Sequence, residues 1–250
     1  MKNAISLALI LSAGLAVGPA LASNRSFSFT GFDKIEASNH VNVVLKQGPF
    51  SIQASEPQGR FEELILEVRG STLVASRRST QTTWFLWNPD RPSYTITVTA
   101  PAYSAIEVSN HADLRGEVTA PALTLAASNH ADVSGKFSVR TLGLSADNHA
   151  DIVGEVVSEA LILSAGNHGV MRLSGSCKSI EATASNHAAI NGQALKCESA
   201  RLQATNHGDV GAWASRQASG RADNHGDVLV YGNPLSFSRD ASNHGSVGRL

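Results

Sequence analysis

The chain has 250 residues, with 20 Lys and Arg against 21 Asp and Glu, a formal charge of -1 and 42% hydrophobic residues. That balance argues against a disordered chain, and the lack of a basic surplus or basic run argues against a nucleic-acid binder. Only 16% of the residues are charged while 21 are Gly, which suits tight turns and short strands, because Gly inside a helix costs about 1 kcal/mol relative to Ala.

Residues 1–22 read as a signal peptide. Lys2 is a one-charge n-region, Ala4 to Val17 is apolar, and Ala20-Leu21-Ala22 is a small-x-small cleavage site before Ser23. The apolar stretch falls short of the ~20 residues that span a bilayer, and no Cys stands at the cleavage point to carry a lipid. The mature form is expected to be periplasmic or secreted, with no membrane span.

Residues 23–107 are expected to form N-terminal coils and a cap. They include an excursion at 77–93 that carries Arg77, Arg78, Trp84, Phe85, Trp87, Pro89 and Pro92. Trp84, Phe85 and Trp87 have two readings: a platform for sugar rings or a partner protein, or a shield over the open end of the first coil. The cap is preferred, since terminal solenoid units must cover their edge.

Residues 108–250 carry a repeat. The nine histidines stand at 40, 111, 130, 149, 168, 187, 207, 225 and 244, each preceded by Asn, and from His111 the gaps are 19, 19, 19, 19, 20, 18 and 19 residues. Three positions after His the residue is always apolar, from Val43, Leu114 and Val133 through to Val247; three before, it is Ala except at Val108. The position after His is Ala or Gly except at Val41. Two positions to either side the residues are mostly polar. Alternation of this kind, recurring every 19 residues and broken by Gly116, Gly135, Gly154 and Gly192, predicts two or three short strands per coil. The fold class is therefore all-β: a parallel β-helix or β-solenoid with about 19 residues per coil, and right-handed winding is expected from the handedness of parallel crossovers. Propeller blades take about 40 residues or more, so coils of this length exclude them.

The run Gly31-Phe32-Asp33-Lys34-Ile35, the strand Val41-Asn42-Val43-Val44-Leu45 closing on Gln47-Gly48, and Tyr94 to Pro101 leading into Ile106-Glu107-Val108-Ser109 resemble the head GIN domain family. Its members are called putative autotransporter adhesin heads. The likeness covers most of residues 28–250 and implies an adhesin-type module, with Asn-His here in place of the usual Ser-Gly repeats.

Strand parity carried through the Asn-His step predicts Asn facing in and His facing out. Asn110, Asn129, Asn148, Asn167, Asn186, Asn206, Asn224 and Asn243 would then form an inward structural ladder of hydrogen-bonded amides. An outward His row at the ~4.8 Å strand spacing suggests chelation of Zn²⁺, Cu²⁺ or Ni²⁺. The sharpest clusters are His111, His130 and His149 with Asp113, Asp132 and Asp151, and His207 and His225 with Asp209 and Asp227. The competing reading is a solvated, stacked ladder. No catalytic residue is assigned: Ser128, His130 and Asp132 are one copy of a set that recurs along a polar stripe, whereas catalysis needs one preorganised constellation. Cys177 and Cys197 each lie ten residues before a His, so they share a column of adjacent coils and are expected to form a disulfide.

The preferred function is an exported, non-enzymatic interaction module of adhesin-head type that requires no cofactor. Its partner would be a protein or glycan at the cell envelope, with end-to-end or edge self-association as a further expectation. A periplasmic metal-binding protein and a glycan-binding or glycan-processing β-helix are the alternatives.

Overall fold

The computed structural model describes residues 23–78 and 92–250. The signal-peptide reading and Trp84, Phe85 and Trp87 lie outside the described residues. Seventeen strands form one sheet, and no helix occurs among the described residues.

The repeating part is built from β9 (Asp113–Ser128), β10 (Asp132–Asp147), β11 (Asp151–Ala165), β12 (Val170–Ser185), β13 (Ala189–Thr205) and β14 (Asp209–Asp223), each one coil of a parallel β-solenoid. Their register is column on column. Leu114 pairs with Val133, then Ile152, Met171, Ile190 and Val210, all buried. Ala127, Ala146, Ala165, Ala184, Ala204 and Ala222 form a second buried column of small side chains, continued by Val108 and Ala37. Each coil runs as one long bent strand, where two or three short ones were expected. The inter-coil hydrogen bonds continue around the bends, so pairing is not interrupted there. At one bend Gly116 has φ +157°, and a Cβ on it would lie 2.7 Å from the Leu45 carbonyl oxygen, so no larger residue fits.

β2 (Lys34–Ser38) and β3 (Val41–Gln47) make a coil of the same kind, separated in sequence from the others but stacked on them. β2 pairs with β8 (Ala105–Ser109) and β3 with β9, all parallel. On their other side lie β6 (Thr72–Arg77) and β7 (Tyr94–Ala100). The chain therefore leaves after β3, builds the layer outside it, and re-enters at β8. β4 (Ser51–Glu56) runs antiparallel to β7 and to β1 (Ser23–Phe27), and β5 (Leu64–Arg69) antiparallel to β6. These strands cover the N-terminal edge, which would otherwise offer unpaired backbone groups to another chain.

In that outer layer Ser76 aligns with Ser38 and Tyr94 with Val41. The excursion at 77–93 thus leaves and re-enters where the next coil has Asn39-His40, and Arg77 Nη1 donates to the Pro92 carbonyl at 3.3 Å across its base. At the far end β15 (Asp227–Tyr231), β16 (Ser236–Ala241) and β17 (Ser246–Arg249) complete the stack on β14. Cys177 and Cys197 face each other in register and are disulfide-bonded, with Cα atoms 4.4 Å apart.

Candidate functional site

The corner between successive coils is the most regular surface feature. All nine Asn-His pairs have positive φ at both residues, 44° to 58° at Asn and 60° to 64° at His. Two such residues in succession are the mark of a type I′ turn, and in most coils a hydrogen bond closes it, as from Ala112 N–H to Ser109 O at 3.2 Å. Asn and His are among the few non-glycine residues enriched in this left-handed region, which explains their use here. The sheet does not stop at the corner: every His N–H before His244 donates to the Asn carbonyl of the next coil, from His40 to Asn110 at 3.2 Å through to His225 to Asn243 at 3.1 Å.

This geometry corrects the expected facing of the Asn column. Asn110, Asn129, Asn148, Asn167, Asn186, Asn206 and Asn224 are exposed with their His neighbours, and Asn243 is likewise outside the core. Alternation holds for extended residues only; the two central residues of a turn both project away from the core, and parity resumes at buried Ala112. The amide ladder exists on the outside. Asn129 Nδ2 donates to Asn110 Oδ1 at 3.1 Å, Asn148 to Asn129 at 3.2 Å, Asn186 to Asn167 at 3.1 Å, Asn206 to Asn186 at 3.2 Å and Asn224 to Asn206 at 2.6 Å. It is interrupted twice, where Asn167 donates to Asp147 and Asn243 to Asp223.

Beside it the nine imidazoles form one unbroken stack. Ring centroids are 4.8 to 5.2 Å apart and planes are within 10° of parallel from His40 to His244. Ring faces are taken by the neighbours above and below, so the polar edges face solvent. Ring nitrogens hold their lone pairs in the ring plane, and parallel planes give lone pairs that do not converge on a shared ion. Among the described residues no group of three or more His, Cys, Asp and Glu is placed to hold a metal ion. The structure does bring His111, His130, His149, His207 and His225 into one column, and Asp113, Asp132, Asp151 and Asp209, Asp227 into a parallel one, without joining them into a site.

Within the Asp column Asp132 pairs with Asp113 and Asp151, and Asp209 with Asp227. Partial loss of water raises the carboxyl of Asp132 above its ordinary range, and the charges of Asp113 and Asp151 add to this. Asp209 is raised in the same way, by desolvation and then by Asp227. Asp223 goes the other way, held low by hydrogen bonds from Asn243 and Ser242.

Sequence reasoning missed the groove beside this column. About 780 Å³ in volume, it is lined among others by Arg115, Lys136, Val153, Arg172 and the stacked Gly116 and Gly135. Its only trace in the sequence was the glycine column itself.

A model of the family described as putative auto-transporter adhesin, head GIN domain, matches residues 31–234. The chain belongs to this family. Solved structures agree with a head GIN domain in fold. A putative adhesin from Parabacteroides distasonis ATCC 8503 has a TM-score of 0.82 at 15% identity, with 93% of this chain and 98% of that chain covered. A putative adhesin from Parabacteroides merdae ATCC 43184 gives 0.80 at 14%, with the same coverage of 93% and 98%. A putative lipid binding protein from Parabacteroides distasonis ATCC 8503 gives 0.75 at 14%, covering 92% and 96%. At these identities the likeness is one of fold alone. No curated protein matches the chain.

Proposed function

We propose that the chain is an exported, non-enzymatic adhesion module whose repeating corner is a contact surface for a protein or glycan at the cell envelope. The observation that carries this reading is repetition: nine coils present the same imidazole edge beside the same amide, in line. A line of equal contacts suits a partner that is itself extended, and many weak contacts in series give avidity without any one strong site. An active site would instead need one dry, preorganised cluster. Membership of an adhesin-head family supports the same reading.

The test is saturable binding of the purified protein to immobilised envelope material and to a glycan array, compared with a variant carrying His130→Asn and His149→Asn. The variant should keep its far-UV spectrum and bind more weakly. Hydrolysis of an envelope glycan by the parent protein would overturn the non-enzymatic reading. Sub-micromolar uptake of several zinc ions per chain in a calorimetric titration would replace it with the metal-ladder alternative.

A further inference from the structure

We propose that the imidazole column is an acid-switched binding strip for a linear polycarboxylate glycan, a uronate-type chain laid along the solenoid axis with its centre over His168 and His187. The inference rests on the adhesion-module reading in taking the corner as the contact surface, and it adds the ligand class and a control.

The stack fixes nine imidazoles in a straight row at 4.8 to 5.2 Å spacing. Imidazole is the side chain that changes charge in mildly acidic water. On a chain of formal charge -1, protonating this row converts a neutral edge into a line of positive charges. A polyanion with one carboxylate per repeat, laid beside the row, is attracted by the protonated row and not by the neutral one. Proton uptake and glycan binding then assist each other, each by the same factor. A folded protein partner would rarely offer a straight line of carboxylates over so many coils.

The charged groups flanking the row locate the seat. Two residues after His stand Asp113, Asp132 and Asp151 at one end and Asp209 and Asp227 at the other, and two residues before stand Asp147 and Asp223. Arg172 lies 3.5 Å from Asp151 and is engaged by it, and Arg77 stands at the N-terminal end beside the excursion. His168 and His187 have Val170 and Ala189 after them and Gly166 and Ser185 before them. Among the interior rungs of the row these two alone carry no carboxylate of their own at those positions, and Asp147 of the adjacent coil is taken up by Asn167 at 2.9 Å.

The experiment is isothermal titration of the full chain with polygalacturonate at about pH 5.5 and about pH 8, in two buffers of different ionisation enthalpy. The expected result is affinity about tenfold higher in acid, lost progressively with salt, with net proton uptake on binding. His168→Asn with His187→Asn should remove most of that gain, and His40→Asn at the end of the row should change it least; Asn is used because it accepts the left-handed backbone. Proton uptake by the parent protein is a separate reading that does not depend on the variants folding. Affinity independent of pH, binding without proton uptake, or equal binding of uncharged dextran or of single-stranded DNA in acid would overturn the proposal. Should polygalacturonate fail at both pH values while envelope binding persists, this inference alone falls; should both fail, the adhesion-module reading falls with it.

Discussion

Coils β9 to β14 and the N-terminal layer solve one problem by different means. Between Asp113 and Asp223 every strand has a parallel partner on each side, so the core is a set of repeated columns and backbone pairing needs nothing further. At the N-terminal end the stack must stop, and it does so with antiparallel strands and large residues that occur once: Phe32, Ile52, Tyr94 and Tyr103, all buried. The Tyr103 hydroxyl is shared between the carbonyls of Lys46 and Val98, at 2.9 Å each, and burial pushes its ionisation well above the usual tyrosine range. Repetition specifies the middle with few residue types; termination takes a non-repeating set.

The sharpest way to break this comparison is to cut one core residue in each region. Leu142→Ala, in the middle coils, and Ile52→Ala, in the end layer, should each cost about 2–5 kcal/mol in urea unfolding. Only the Ile52 variant should also self-associate in sedimentation, because it loosens β4 over the β7 edge. Equal behaviour of the two would mean that the end layer is not a cap.

Next in size is the disulfide, which has no counterpart in the end layer. Cys197→Ser should lower stability by about 3 kcal/mol, as removal of a bridge between residues 20 apart implies. A reducing agent should do the same to the parent and nothing further to the variant.

The corner gives a smaller effect. Asn148→Ala should cost about 1–2 kcal/mol, since Ala gains nothing from the left-handed backbone and the bond to Asn129 is lost. Asn148→Gly should recover most of this in the same assay, which separates the backbone preference from the amide ladder.

The smallest effect is one of pH. The carboxyl of Asp132 is raised in the fold, so its charged form is disfavoured relative to the unfolded chain. It therefore weakens the protein above its folded pKa, and the penalty is relieved as pH falls through that value. Asp132→Asn should raise the melting temperature at neutral pH and leave it unchanged in strong acid. A melting temperature lowered at neutral pH would show that the carboxylate makes a stabilising contact.

The solenoid was legible because its interior is periodic: the apolar column at Leu114 and its equivalents, the Ala column and the Cys177–Cys197 alignment all follow from counting along the repeat. The Asn facing was misread because counting assumes extended backbone, and the corner has two left-handed residues in succession. The end layer was invisible in detail for a related reason. Which strand lies beside β2 depends on long-range pairing of β6 and β8, and nothing in a non-repeating stretch announces it. The groove lies along stacked glycines where the coils meet backbone to backbone, a Cβ on Gly135 coming within 2.4 Å of the Gly116 carbonyl oxygen, and such a crease shows only once the coils are stacked.

Coil length varies, yet the corner does not drift. Between β13 and β14 the register slips at Gly192 to Lys196 and at Cys197 to Ser199, and is restored before Ala204 meets Ala222. Irregularity is thus discharged on the flank while the imidazoles stay in line across it, His187 to His207 to His225 at 4.8 Å each. A whole coil could be gained or lost in the same way, moving the far end by about 4.8 Å and changing the number of rungs by one. The architecture therefore has an adjustable valency, in which gripping strength changes in whole steps and the chemistry of each step is preserved.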